Sequence, residues 1–453
     1  VASSRAVSGE LSRMFCQTLR LCSRLASATK RHPQRAGALP RFQCPPRFAS
    51  SSSSSFSPPA DAPSGDWDFP VPVRFGAGRV RELSSVLRER GSTRPLLVTD
   101  RGLADSGLCR GVLAELAGAG LSPRLFAGVR ANPTDTDIEV GAEAFRDHGA
   151  DGLVALGGGS ALDGGKCIAM VARTGVPLPA FEWVRDPPPG VGPMAEGDAS
   201  RGIPPVVAIP TTAGTGAEMN AASMFTDTAA QVKRCATHPA CRVSVIADPL
   251  LTVSLPPSLT AWTGMDALTH AIEAYCVDAY HPMCDGIALE AMAMIKQWLP
   301  RAYADGSDVA ARSHMLAASA MAAVAFQKGL GAVHGLSEPI GAVHDTQHGL
   351  TNAILLPHVL RANAAAIEAK CGHIANSLGL PVTSAGCTHA MVVWVEELNA
   401  SLGIPQSLRA IGIDGSTAAA CAAKAEANPT GWTNPIKFSA SDYEDLFHRA
   451  LIA

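Results

Sequence analysis

Strand-like and helix-like segments alternate along the first half of this chain and then stop alternating, and that single change of pattern constrains the fold most. The runs Arg94–Thr99, Pro123–Val129, Gly152–Leu156, Pro205–Ile209 and Arg242–Ile246 are apolar, end in turn residues and are followed by helical stretches. Parallel neighbours need a crossover between them, so the alternation predicts a largely parallel sheet with helices on both faces. After Asp248-Pro249 no strand pattern recurs. Helices are predicted over Leu259–Val277, Asp285–Ala304, Val309–Phe326, Gly349–Ala369, Thr388–Leu402 and Ala440–Leu451. A chain of 453 residues exceeds one average domain. It is expected to divide into an α/β domain over 67–250 and an all-α domain over 251–453, with a Pro/Gly-rich loop at 184–204 inside the first.

The residues before 67 follow neither pattern. Residues 1–60 hold nine basic side chains against the single acid Glu10, although the whole chain carries a net charge of only −3. An Arg- and Ser-rich, acid-poor leader has the composition of an organelle transit peptide, so 1–66 is expected to be a targeting segment and linker. Arg47-Phe48-Ala49-Ser50 suits mitochondrial processing, and the serine run Ser50–Ser55 leaves a plastid open. A nucleic-acid-binding arm would carry more Lys and interleaved aromatics. The near-neutral balance provides no global field for nucleic acid or anionic lipid. The apolar stretch Met315–Phe326 is read as too short to span a bilayer and as a buried helix instead. Neither a nucleic acid nor a membrane is an expected partner. The twelve cysteines form no C-x-x-C pair, and the nearest, Cys16/Cys22 and Cys235/Cys241, suggest neither zinc nor a disulfide framework.

Three segments at strand ends can hold a nucleotide. Gly157-Gly158-Gly159-Ser160-Ala161-Leu162-Asp163-Gly164-Gly165-Lys166 follows the run Gly152–Leu156, the arrangement that aims free backbone N–H groups at a phosphate. Ser160 and Asp163 have the spacing of a capping box. A tight strand-to-helix turn without a ligand fits the same residues, and the segment matches neither a Walker A loop nor G-x-G-x-x-G. Pro210-Thr211-Thr212-Ala213-Gly214-Thr215-Gly216 offers hydroxyls at a second strand end, either to the same ligand or to the turn itself. Asp100 ends a third strand, where a carboxylate can bind a ribose or cap a helix at Leu103.

The helical half carries a different chemistry. Asp266 and His270 stand at i and i+4 on one helix face, and His334 and His348 follow. One carboxylate and three imidazoles suit Fe²⁺ or Zn²⁺ with room for a substrate, although each histidine alone is more often structural.

GGGSALDGGK, AIPTTAGTGAE, TGMDALTHAIEAY and GLGAVHGLSEPIGAVHDTQHG, in this order, closely resemble the iron-containing (group III) alcohol dehydrogenases. The resemblance runs from about Phe69 to the C-terminus and weakens after Leu360. It implies a Rossmann-like N-terminal dinucleotide-binding domain joined to an all-α metal-binding domain, the fold shared with dehydroquinate synthase, and a homodimer. It implies Asp266, His270, His334 and His348 as ligands to Fe²⁺, with Zn²⁺ as the alternative. Gly158, Gly159, Ser160 and Asp163 are the implied pyrophosphate contacts, and Thr211, Thr212, Thr215 and Lys233 line the nucleotide. Asp100 is implied at the adenosine ribose, which favours NAD over NADP because a carboxylate repels a 2′-phosphate. The implied reaction is hydride transfer between nicotinamide and a small alcohol, aldehyde or hydroxy acid.

One position departs from the family. Four residues after His334 the relatives usually have His, whereas this chain has Glu338. A carboxylate there can take over a proton relay, approach the metal as an extra ligand, or be a tolerated substitution. His344, four residues before His348, is a candidate to supply the missing imidazole. The alternatives to a dehydrogenase are a mitochondrial hydroxyacid–oxoacid transhydrogenase and a non-catalytic binding relative.

Overall fold

The computed structural model describes residues 71–183, 202–238, 240–241 and 243–452. The leader 1–66 and most of the loop expected at 184–204 lie outside the described residues.

The α/β part runs β1 (Val73–Phe75), α1 (Leu83–Glu89), β2 (Pro95–Asp100), α2 (Arg101–Ala104), α3 (Gly107–Gly118), β3 (Arg124–Val129), α4 (Asp135–His148), β4 (Gly152–Gly157) and α5 (Gly159–Ala172). It continues through β5 (Val206–Pro210), β6 (Ala222–Asp227), β7 (Val232–Thr237) and β8 (Val243–Ala247). Six strands form one sheet in the order β1-β8-β5-β4-β2-β3, every pair parallel. The five predicted strands are all present, each within one residue of its expected ends. The sequence reading missed β1, which is three residues long, and the antiparallel hairpin β6–β7.

Helices cover both faces, as a wholly apolar run such as β4 requires. Ile138 and Phe145 of α4 and Leu162 and Ile168 of α5 pack on one face, whereas Leu87 of α1 and Val112 and Leu116 of α3 pack on the other. The connections leaving the adjacent strands β2 and β4 therefore depart to opposite faces. A crevice opens at such a switch point, outside the carboxyl ends of the two strands. Gly165 brings α5 down onto β4, because a Cβ there would meet that of Ala155 at 2.7 Å.

The helical part comprises α6 (Pro257–Cys276), α7 (Pro282–Ala304), α8 (Val309–Ala325), α9 (Ala332–His344), α10 (His348–Leu378), α11 (Cys387–Ser401), α12 (Ala418–Ala427) and α13 (Ala440–Leu451). All six predicted helices are present. Helices α9 and α12 are additional to the six predicted. Helix α6 is the centre of this half, packing against α7, α8 and α10 around Met265, Leu268, Ile272, Met292 and Leu355. The segment Val309–Lys328, with a mean hydropathy of 1.3, is in fact long and apolar enough to cross a bilayer, contrary to the shorter stretch read from sequence. Its packing between α6 and α7 accounts for that apolarity.

Candidate active site

Helix α6 contributes two of the four candidate ligands by periodicity alone, since Asp266 and His270 share a face. His334 lies in the first turn of α9, and His348 is the first residue of α10. The helices approach closely because Gly349 has no side chain: a Cβ there would lie 2.2 Å from the carbonyl oxygen of Trp262. Donor atoms of Asp266, His270, His334 and His348 all fall within 4.8 Å of one another. Asp266 Oδ1 is 3.9 Å from His270 Nε2, 3.9 Å from His334 Nε2 and 3.7 Å from His348 Nε2. These separations are too long for hydrogen bonds and near the roughly 3.4 Å spacing of ligands about a tetrahedral ion. The donor set is that of a borderline divalent metal, so the residues fit one.

The electrostatics suit the same occupant. Burial pushes His270 down to about 4 against the attraction of Asp266. Burial likewise lowers His348 well below its ordinary value, so both rings are neutral and keep a lone pair. Burial alone would raise Asp266, but the facing imidazoles and an amide from Asn352 hold it below the usual carboxylate range.

A residue missed in the sequence completes this arrangement. Glu273, buried on α6, presents Oε2 to His334 Nδ1 at 2.6 Å and accepts the Val333 N–H at 2.7 Å. Burial opposes the charged ring, yet the Glu273 contact raises the pKa of His334. Glu273 lies three residues after His270, on the face already marked by Asp266 and His270, and that spacing was the available signal.

Glu338 does not join the four-donor group. Its Oε2 accepts a hydrogen bond from Asn428 Nδ2 at 2.7 Å. Burial, the largest influence, raises its pKa, while Asn428 and the Lys233 ammonium oppose the rise. The structure therefore does not support Glu338 as an extra ligand: it lies outside the four-donor group, and one of its carboxylate oxygens is engaged by Asn428. His344, at the end of α9, pairs through Nε2 with Thr417 Oγ1 at 2.8 Å and is not among the cleft-lining residues.

Five of the nine nucleotide candidates line one crevice. A cleft of about 970 Å³ is lined by Asp100, Gly158, Ser160, Thr211 and Thr212, together with Leu251 and Leu259 and, across it, Gly341 of α9. Helix α5 begins at Gly158 with no side-chain cap, leaving its first N–H groups for an anion. The expected capping box does not form. Ser160 donates to the Ala131 carbonyl, and Asp163 pairs with Lys166 Nζ at 3.3 Å. Lys166 is fully buried and also donates to the carbonyls of Ala217 and Ala222, which ties α5 to the β6 side of the site. Asp163 and Gly159 are not among the cleft-lining residues, and neither is Thr215, which packs on Gly159 so that a Cβ there would come within 2.6 Å. Asp100 Oδ1 caps α2 through the Leu103 N–H at 2.9 Å, and the residue also lines the cleft. Lys233, expected to line the nucleotide, is not among the cleft-lining residues either. Burial lowers its pKa, while Glu338, Asp163, Asp266 and Asp345 surround it with opposing negative charge.

Comparison with known proteins agrees with this geometry. Residues 70–249 match the family model described as iron-containing alcohol dehydrogenase, and residues 260–451 match that of the Fe-containing alcohol dehydrogenase family, C-terminal. The chain is 35% identical over 382 residues to the NAD-dependent methanol dehydrogenase of Bacillus methanolicus, covering 83% of this chain and 97% of that protein. It is likewise 35% identical over 384 residues to the lactaldehyde reductase of Escherichia coli (strain K12), with coverage of 83% and 97%. Among solved structures, a 1,3-propanediol oxidoreductase superposes with a TM-score of 0.78 at 33% identity, covering 85% of this chain and all (100%) of its own.

Proposed function

The chain belongs to the iron-containing alcohol dehydrogenase family of oxidoreductases, and on that premise we propose that it transfers hydride between NAD(H) and a small alcohol or aldehyde whose oxygen is bound at a divalent metal. The observation that carries this reading is the convergence of Asp266, His270, His334 and His348 on α6, α9 and α10. A crevice suited to a dinucleotide opens at the strand ends of the same unit. Fe²⁺ is the proposed ion, with Zn²⁺ admitted by the same donors.

A divalent metal held by Asp266, His270, His334 and His348 would supply Lewis-acid polarisation of the substrate oxygen, and a bound nicotinamide would supply the hydride carrier. The protein supplies position and proton control. Glu273 holds the His334 ring by its Nδ1, so that Nε2 faces Asp266. The first turn of α5 receives the pyrophosphate, and Asp100 receives the adenosine ribose and disfavours a 2′-phosphate. Glu338 stands where relatives usually have His. With Lys233 and Asn428 beside it and a raised pKa, it is the proposed proton acceptor for alcohol oxidation.

Stripping the protein with a chelator, then following NADH formation on a panel of alcohols and hydroxy acids after adding Fe²⁺ or Zn²⁺, tests the reading. Metal-restored turnover on alcohols supports it. Turnover that requires an oxoacid acceptor, with no release of NADH, would assign the chain to transhydrogenation instead.

A further inference from the structure

The segment Asn428–Asn434 follows α12 and packs along the first two turns of α9, the helix that carries His334 and Glu338. Helix α9 has Gly331 at its N-cap and no side chain there to take its first N–H groups. Asn434 Oδ1 accepts the Ala332 N–H at 3.1 Å instead, beside the Glu273 contact to Val333. Thr433 Oγ1 donates to the Leu330 carbonyl at 2.6 Å. Gly431 rests on Gly335, so closely that a Cβ on Gly335 would lie 3.1 Å from the Gly431 Cα. The segment is therefore held against α9 on either side of His334.

Asn428 is the residue of this segment that reaches Glu338. Its Oδ1 caps the short turn Pro429–Gly431, accepting the Thr430 N–H at 3.0 Å and the Thr430 hydroxyl at 2.9 Å. A backbone N–H requires an acceptor opposite it, so the turn decides which end of the amide is oxygen. Nδ2 then faces Glu338 and donates to Oε2 at 2.7 Å. Turned over, the amide would oppose two donors on one side and two acceptors on the other. Among the described residues the second carboxylate oxygen of Glu338 has no hydrogen-bond partner. The titratable groups around that carboxylate are Lys233 and Cys235 of β7, Glu273 of α6 and, one turn earlier on α9, His334. We propose that Asn428 is a positioning residue for the proton transfer: held by its own turn, it ties down one oxygen of Glu338 and leaves the other to take the proton of the substrate hydroxyl. In alcohol oxidation that proton leaves as the carbinol carbon yields its hydride to the nicotinamide, so the products are a carbonyl, the reduced coenzyme and a neutral Glu338. Its N–H also favours the charged acceptor over the protonated one, because a hydrogen bond to a carboxylate is the stronger. This inference rests on the reading of Glu338 as the proton acceptor.

Two substitutions keep the cap and change what faces Glu338. Serine and aspartate cap about as well as asparagine, but Asn428→Ser is too short to reach Glu338, and Asn428→Asp offers it a negative oxygen. In the metal-loaded full chain the ascending limb of kcat/KM against pH should move to higher pH in both. The shift should be about one unit in Asn428→Ser, for the loss of one hydrogen bond to a charged group, and larger in Asn428→Asp. On a Glu338→Gln background Asn428→Asp should change kcat/KM by no more than about twofold, because the group it acts through is gone. If Asn428 is a cap alone, neither substitution moves the limb, and that result overturns the proposal while leaving Glu338 as the acceptor. Equal losses from Asn428→Asp with and without Glu338 would overturn it as well. The limb of either single variant decides the matter if the other fails to fold. A Glu338→Gln enzyme that keeps the wild-type limb would remove the acceptor reading itself and the proposal with it.

Discussion

Glu273 Oε2 lies 2.6 Å from His334 Nδ1, and this contact fixes which nitrogen of that imidazole is available to a metal. Glu273→Gln keeps the size of the side chain, and its oxygen can still accept the Val333 N–H. An amide N–H then points at Nδ1, which drives the ring proton to Nε2 and blocks the donor. Metal affinity should fall between about 10- and 100-fold, as is usual when a ligand loses its orienting partner. Chelator competition measures it, and an unchanged affinity would make Glu273 a structural residue only.

Asp100 combines a helix cap with a charge at the cleft, and one substitution separates them. Asn caps as well as Asp does, so Asp100→Asn should retain thermal stability and the Leu103 contact. Losing the negative charge should improve acceptance of NADP relative to NAD. If steady-state kinetics show no change in that preference, Asp100 is a cap and nothing more.

Glu338 has a pKa raised chiefly by burial. If it accepts the proton in alcohol oxidation, kcat/KM should climb as pH rises through that raised value. Glu338→Gln should remove this limb and lower the rate about 100-fold, whereas Glu338→His should keep a limb but displace it. Superimposable pH profiles for all three proteins would exclude Glu338 from the chemistry.

Glu218, in the buried turn Ala217–Met219 beside the Lys166 clamp, has its pKa raised by burial to about 7. A carboxyl raised on folding favours the folded state in its protonated form. Its contribution is complete below the ordinary carboxyl pKa and is lost as pH rises toward 7. Denaturant unfolding should show Glu218→Gln close to the wild type at about pH 4, below the ordinary carboxyl pKa, where both side chains are largely neutral folded and unfolded. It should exceed it by up to about 3 kcal/mol at pH 8. Equal stability of the two proteins at pH 8 would contradict this.

The legible parts of the molecule are those written by local periodicity. The apolar runs of β2, β4, β5 and β8 and the i, i+4 pair Asp266/His270 follow from spacing in the chain. Helix α9 was obscured by Gly335, Pro339 and Gly341, poor helix formers held helical by burial of Val333, Leu336 and Ile340. The Ser160–Asp163 spacing matched a cap, but Ala131 and Lys166 compete for those side chains across the fold. Glu273 was within reach of the α6 periodicity. Asn352 was not, because its contact with Asp266 depends on where α10 lies against α6. The same holds for Glu338, whose carboxylate meets Asn428, 90 residues away in the chain.

The central claim is that the four-donor centre holds the metal on which NAD-linked alcohol turnover depends. His270→Ala tests it most directly, because His270 lies in the helical half and the nucleotide loops in the other. Metal content, NAD affinity and NADH-forming turnover should be measured together on this variant and the wild type. The account predicts bound metal and turnover in the wild type, and loss of both in His270→Ala with folding and NAD affinity retained. Undiminished turnover by a His270→Ala protein that carries no metal would contradict it.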